Sequence, residues 1–206
     1  MSPVHLLILL GAAALHVGQH VAIKKANDRT AFLWWMWLYA LLLFLPAILW
    51  RWKPMPPSVL PWLVMCAAFD LLYFRAIARA YDHGPLSTVY PVARGSAPPL
   101  LLFWCGLLLG EWPRPGGALG ILVVVAGIAL VHAPGGASWR GLAADLRAPA
   151  GRWALTAGLC ISLYTFAARA AVRTVDPLQF AYLDTLLVFA ALSAGWLRSD
   201  SRAALR

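Results

Sequence analysis

The sequence predicts an all-α polytopic membrane protein of about seven transmembrane helices, and three observations carry that prediction. The chain is 62% hydrophobic and 12% charged, with a mean hydropathy of +0.72, far from the balance of a soluble domain. Apolar runs of about 20 residues, the length that spans the hydrocarbon core, recur along its whole length. Basic residues and tryptophans (34, 35, 37, 50, 52, 112, 139, 153 and 196) gather near the ends of those runs. There Lys and Arg snorkel and indoles form an aromatic belt. The formal charge of +9 is thereby placed at the interface. The partner it implies is a lipid bilayer, with no nucleic acid.

The elements follow in order. Residues 4–23 form the first run and end in Lys24-Lys25. It has no charged leading region and no clear cleavage site, so it reads as a membrane helix rather than a signal peptide. The second, 31–50, contains no charged side chain. The third, 59–80, is interrupted by Asp70, Tyr73 and Arg75. The fourth, 85–110, carries Tyr90-Pro91-Val92-Ala93-Arg94-Gly95-Ser96-Ala97-Pro98-Pro99 and is closed by Glu111-Trp112-Pro113. The fifth, 117–131, has no polar side chain; Gly120 and Gly127 share a face, suited either to close helix contact or simply to packing against lipid. Residues 133–152, with Pro134-Gly135-Gly136, Asp145 and Arg147, read as a linker. Two more runs, 153–172 and 178–197, precede a polar tail, 199–206. Cys66, Cys105 and Cys160 each lie inside a run without a CxxC pattern, which supports neither a disulfide framework nor a zinc site.

Three constellations stand out. Arg94 is the strongest. An intramembrane Arg costs roughly 2.5–3.5 kcal/mol on insertion scales, so it needs a partner, a wet cavity or a ligand. Pro91 breaks the helix and frees a carbonyl that lipid cannot satisfy. Gly95, Ser96 and Ala97 allow close approach, and Tyr90 offers a hydroxyl on the same face as Arg94. A guanidinium there suits carboxylate or phosphate groups and points to the interior of the bundle.

His16, His20 and Lys24 recur every four residues, on one helical face flanked by Gln19. Two readings stand: a polar stripe lining a cavity, able to bind an anion or pass protons, or histidines bonding neighbouring helices beside an interfacial lysine. No Glu, Cys or third His stands near them, so neither metal nor cofactor is expected. Asp70 and Tyr73 share a face from which Arg75 turns away. Asp70 is expected to meet Arg94 or Lys24, either as a protonatable pair or as an ion pair locking helices together. Glu111 is expected to close the fourth helix at the interface.

These residues carry a resemblance. Ala80-Tyr81-Asp82-His83-Gly84-Pro85-Leu86-Ser87, Tyr90-Pro91, Arg94-Gly95-Ser96-Ala97-Pro98, Gly110-Glu111, Gly120-Ile121 and Ala126-Gly127 resemble the drug/metabolite transporter superfamily, in its EamA-domain branch. His16 and Lys24 match a His and a Lys eight apart in some members, with Gln19-His20 replacing the usual Trp-Asn pair. Tyr164-Thr165 is the main echo after residue 153. The resemblance implies two five-helix repeats of opposite orientation with the substrate between them. Residues 1–133 would be the first repeat, 134–152 the connection and 153–206 two helices of a second. On that reading the last three helices are missing, the matching face of the bundle is open and the isolated chain transports poorly. Self-association into a homodimer is one way to fill the gap.

The function so implied is a secondary transporter in a bacterial inner membrane. It would move a small metabolite, such as an amino acid or organic anion, by ion-coupled alternating access. The substrate and ion pathway would comprise Arg94, Tyr90, Pro91, Asp70, Tyr73, His16, His20, Lys24 and Tyr164. The alternative is a truncated, non-transporting fragment or an assembly partner of such a transporter. The absence of Gly-x-x-x-x-Gly-Lys argues against an ATP-driven pump. An intramembrane enzyme would need a His/Glu cluster or a Ser/His pair, which Glu111 and scattered histidines do not supply. The family orientation, N-terminus inside, conflicts with the charge count. It leaves Arg51, Lys53, Arg114, Arg169 and Arg173 inside and about twice as many basic residues outside.

Overall fold

The computed structural model describes residues 3–131 and 139–198. Eight helices account for almost all of them: α1 Pro3–Lys25, α2 Arg29–Arg51, α3 Leu60–His83, α4 Leu86–Leu109, α5 Pro115–Val131, α6 Trp139–Arg147, α7 Pro149–Ala171 and α8 Pro177–Arg198. Six of the eight are long and apolar enough to cross a membrane. The protein is a multi-pass helical membrane protein.

Local chemistry fixes the helix ends. Asp28 caps α2, its carboxylate accepting from the amides of Thr30 (2.9 Å) and Ala31 (3.0 Å). Asp176 does the same for α8 through Leu178 (3.0 Å) and Gln179 (3.3 Å). These bonds, chiefly the one from Gln179, hold the Asp176 carboxyl below its ordinary range. The end of α4 is a left-handed glycine cap. Gly110 takes φ 66°, its amide donates to Gly106 O (3.1 Å), and Glu111 N donates to Cys105 O (3.1 Å).

The bundle is organised around α3 and α7, which run antiparallel. Gly84, just after α3, meets Ala150 of α7 at one end, and the Cys66 thiol of α3 reaches Tyr164 O of α7 (3.7 Å) further along. α4 packs parallel to α7, and the closest approach is at Gly158. A Cβ there would collide with the Ser96 side chain and stand 2.8 Å from Ala93 O. Trp104 of α4 donates to Ser162 of α7 (3.1 Å) beyond it. α8 lies antiparallel to α2: Trp34 donates to Ser193 (2.8 Å) at one end, and Arg51 pairs with Asp176 (3.0 Å) at the other. The side chain of Gln179 brackets Lys53, accepting from its amide (3.2 Å) and donating to its carbonyl (2.8 Å). The main core joins Phe74, Ile77 and Tyr81 of α3, Val89 and Val92 of α4, and Ala154, Ala157 and Ile161 of α7.

The fifth run is found as α5, an apolar helix of 17 residues, at the short end of the lengths that span a bilayer. Four other expectations are corrected. A Cβ added at Gly120 or Gly127 of this helix would meet nothing within 4 Å, so close contact is made at Gly158 instead. The linker 133–152 contains α6, and α7 begins at Pro149 because proline suits the first turn of a helix. α4 runs unbroken through Pro91, Pro98 and Pro99. Trp34 and Trp37 belong to the interior rather than the belt, Trp34 on Ser193 and Trp37 on Phe74 (5.2 Å between ring centres). Residues 132–138 and the tail 199–206 lie outside the described residues.

Candidate functional site

The polar residues of α1, α3, α4 and α7 converge on Arg94. It lies one turn beyond Pro91 on α4 and is half-buried. Its guanidinium lies beside Tyr164 of α7. It acts electrostatically on Asp70, Tyr73 and Tyr81 of α3 and on His16 and His20 of α1. Among the described residues its buried Nε has no hydrogen-bond partner, and neither has Nε2 of His16. Buried polar nitrogens of this kind are rarely left unmatched without a ligand or water to meet them.

His20 is the hub of the α1–α3 contact. Its ring is buried and bridges two tyrosines, Nδ1 to the Tyr81 hydroxyl (2.9 Å) and Nε2 to the Tyr73 hydroxyl (3.0 Å). In a neutral imidazole one nitrogen donates and the other accepts, so the tyrosine hydroxyls take opposite roles. The ring meets Tyr90 edge-on at 4.8 Å and His16 at 4.9 Å. Tyr73 in turn meets Tyr164 at 6.2 Å. Four tyrosines and two histidines thus surround the Arg94 region. Gln19, on the same helix, donates to the Met36 sulfur at 3.3 Å.

Lys24 does something else. Its ammonium donates to Tyr81 O and to Gly84 O (3.0 Å), at the carbonyl end of α3, and sits 5.7 Å above the Tyr81 ring. A cation at a helix C-terminus satisfies exposed carbonyls and the helix dipole. The expected Asp70–Lys24 pair is therefore not formed. Asp70 instead feels Arg94 and Asp184 of α8, with no ion pair among the described residues. Asp184 lies beside Cys66, one carboxylate oxygen buried and unpartnered. Arg75 is exposed, away from this cluster. Glu111, after the α4 turn, pairs with Arg169 and with Arg173 (3.0 Å), at the end of α7.

The structure therefore brings together His16, His20, Tyr73, Tyr90, Arg94 and Tyr164, with Asp70 in electrostatic range and Pro91 one turn away. It sets Lys24 at the rim. Tyr81 was not singled out by the sequence. Its signal was the spacing of eight from Tyr73, which puts both hydroxyls on one side of α3. Among the described residues no three His, Cys, Asp or Glu side chains are placed to hold a metal ion.

No curated protein and no solved structure matches the chain. The EamA-like transporter family matches residues 4–133, well over half of the 206 residues and the segment that supplies α1 to α5. Spanning helices, a polar cluster inside an apolar bundle and this match agree, and the chain belongs to the EamA-like transporter family.

Proposed function

We propose that the protein is a secondary carrier that moves a small anionic metabolite across a bacterial inner membrane by alternating access. Amino acids and organic anions are the classes that fit. The observation that carries this reading is the pair of buried, unpartnered nitrogens, Arg94 Nε and His16 Nε2, on two different helices. A carboxylate accepting from a guanidinium gains a charge-assisted bond with defined geometry. Tyr164 and Tyr90 add hydroxyls beside it, and Asp70 supplies a protonatable group in electrostatic range of Arg94. In this reading protonation of Asp70 alternates with anion binding at Arg94, which couples transport to a proton gradient.

Residues 1–133 would act as one five-helix repeat, 134–152 as its connection and 153–206 as the start of a second. We place the working unit as a homodimer. Support comes from α5, which has no buried residue among those described, and from α1, which buries only His20 and Ile23.

The test is flux. The purified chain is reconstituted in liposomes and offered amino acids, organic acids and amines under an imposed gradient. Saturable uptake of an anion, lost in Arg94→Ala, is the expected result. Uptake unchanged in Arg94→Ala, or confined to amines, refutes the assignment.

A further inference from the structure

On the opposite side of α3 from the Arg94 cluster lies an open cleft of about 1170 Å³. It is bounded by the start of α2, the last turns of α3, the start of α7 and Leu192 of α8. Of the α3 residues that line it, the charged ones, Arg75, Arg79 and Asp82, sit roughly 120–180° around the helix from Asp70 at 100° per residue, with Phe74 and Ala78 on the nearer side. It is thus a separate place from the candidate substrate site.

We propose that this cleft binds an anionic phospholipid of the surrounding membrane through its headgroup phosphate. Three arginines line it, Arg29, Arg75 and Arg79, against two carboxylates. Both carboxylates are already used: Asp82 pairs with Arg29, and Asp28 caps the amides of α2. Among the described residues neither the Arg75 nor the Arg79 guanidinium makes an ion pair or a hydrogen bond, and Arg29 Nε is buried without a partner.

Arg75 and Arg79 are four apart on one helical face, a like-charge spacing that repels unless an anion sits between them. Arg75 also lies eight residues before the last residue of α3, about 12 Å along the helix from its end and within the apolar run 59–80, where a guanidinium without a partner is costly. A phosphodiester resolves both problems, since guanidinium forks match phosphate oxygens two at a time. The rest of the lining says that the anion carries a tail. Leu33, Leu72 and Leu192 form an apolar wall, and Trp153, 39% exposed, stands where an indole meets the headgroup zone. An acyl chain fits that wall; free phosphate leaves it bare.

The experiment is native mass spectrometry of the intact chain released from nanodiscs of equal phosphatidylglycerol and phosphatidylcholine. At least tenfold preferential retention of phosphatidylglycerol is expected. It should fall to twofold or less in Arg75→Gln/Arg79→Gln, with size-exclusion behaviour reporting on folding. If that double variant fails to fold, Arg79→Gln alone, at the exposed end of α3, should lower the preference about threefold. Equal retention of the two lipids overturns the proposal, as does a preference that survives the substitutions. Full displacement of the lipid by millimolar inorganic phosphate also overturns it, by making the site one for the free anion. Retention of neither lipid, with the cleft covered by another copy of the chain, does the same.

Discussion

Replacing His20 with alanine removes a ring that is 1% exposed and bridges two tyrosines of α3. Hydrogen bonds between membrane helices average about 0.6 kcal/mol and reach ~1.7, so the two together contribute about 1–3 kcal/mol. The void left by the ring adds a cavity penalty of about 1–2 kcal/mol, because packed surroundings relax only in part. The expected loss for His20→Ala is therefore about 2–5 kcal/mol, read by SDS titration in mixed micelles. Packing and hydrogen bonding are separated by a double-mutant cycle with Tyr81→Phe, which keeps the aromatic ring and removes only the hydroxyl that faces Nδ1. The coupling energy should lie near ~1 kcal/mol. A loss below about 0.5 kcal/mol, or zero coupling, would refute the view that His20 pins α1 to α3. A variant that kept its stability and lost transport would instead move His20 from the scaffold to the pathway.

Further expectations follow from other parts of the bundle. Gly158→Leu should separate α4 from α7, since even a Cβ strikes Ser96 and the Ala93 carbonyl; a loss above about 3 kcal/mol or failure to express is expected, and normal melting would contradict the packing. Glu111→Gln removes both ion pairs with Arg169 and Arg173, which are 44% and 57% exposed, so its cost should stay below about 1 kcal/mol and shrink further in high salt. Asp176→Ala removes the α8 cap and the Arg51 pair. Because the folded-state carboxyl titrates below its unfolded value, the stabilisation is present above the ordinary Asp range and lost as pH falls through the folded value. The difference in melting temperature between wild type and variant should thus be full at neutral pH and close in acid. Arg94→Lys should leave weak uptake where Arg94→Ala leaves none, because an ammonium keeps the charge and loses the fork; equal activity of Lys and Arg would sink the carboxylate assignment.

The spanning helices were legible because each is long, apolar and bounded by charge, turn or tryptophan, as in the charge-free run of α2. α6 escaped because nine residues are too few for a period to stand out beside Pro134-Gly135-Gly136, although Trp139, Leu142 and Leu146 recur at helical spacing. Proline signalled a break in α4 and none occurred: when α7 packs along it, tertiary contact outweighs the lost ladder bonds. Within the site, the shared face of His16 and His20 could be read directly, since it is a property of one helix. What those rings touch could not. The Tyr81 partner, the place of Lys24 on the carbonyl end of α3 and the close approach at Gly158 all depend on which helices become neighbours. Spacing within a segment carries no information on that.

The burial of α7 bears on how the protein is made. Its spanning stretch is 50% buried, against 17% for α2, and its inward surface carries Gly158, Ser162 and Tyr164 rather than leucines. Such a helix, less apolar than α2, gains less from leaving the translocon into lipid alone. It becomes stable on meeting the groove between α3 and α4, both synthesised and inserted before it. Assembly is then ordered in time. A substitution that delays pairing of α3 with α4 should show itself first as α7 left in the translocon or handed to quality-control proteases, even where the finished fold would tolerate the change.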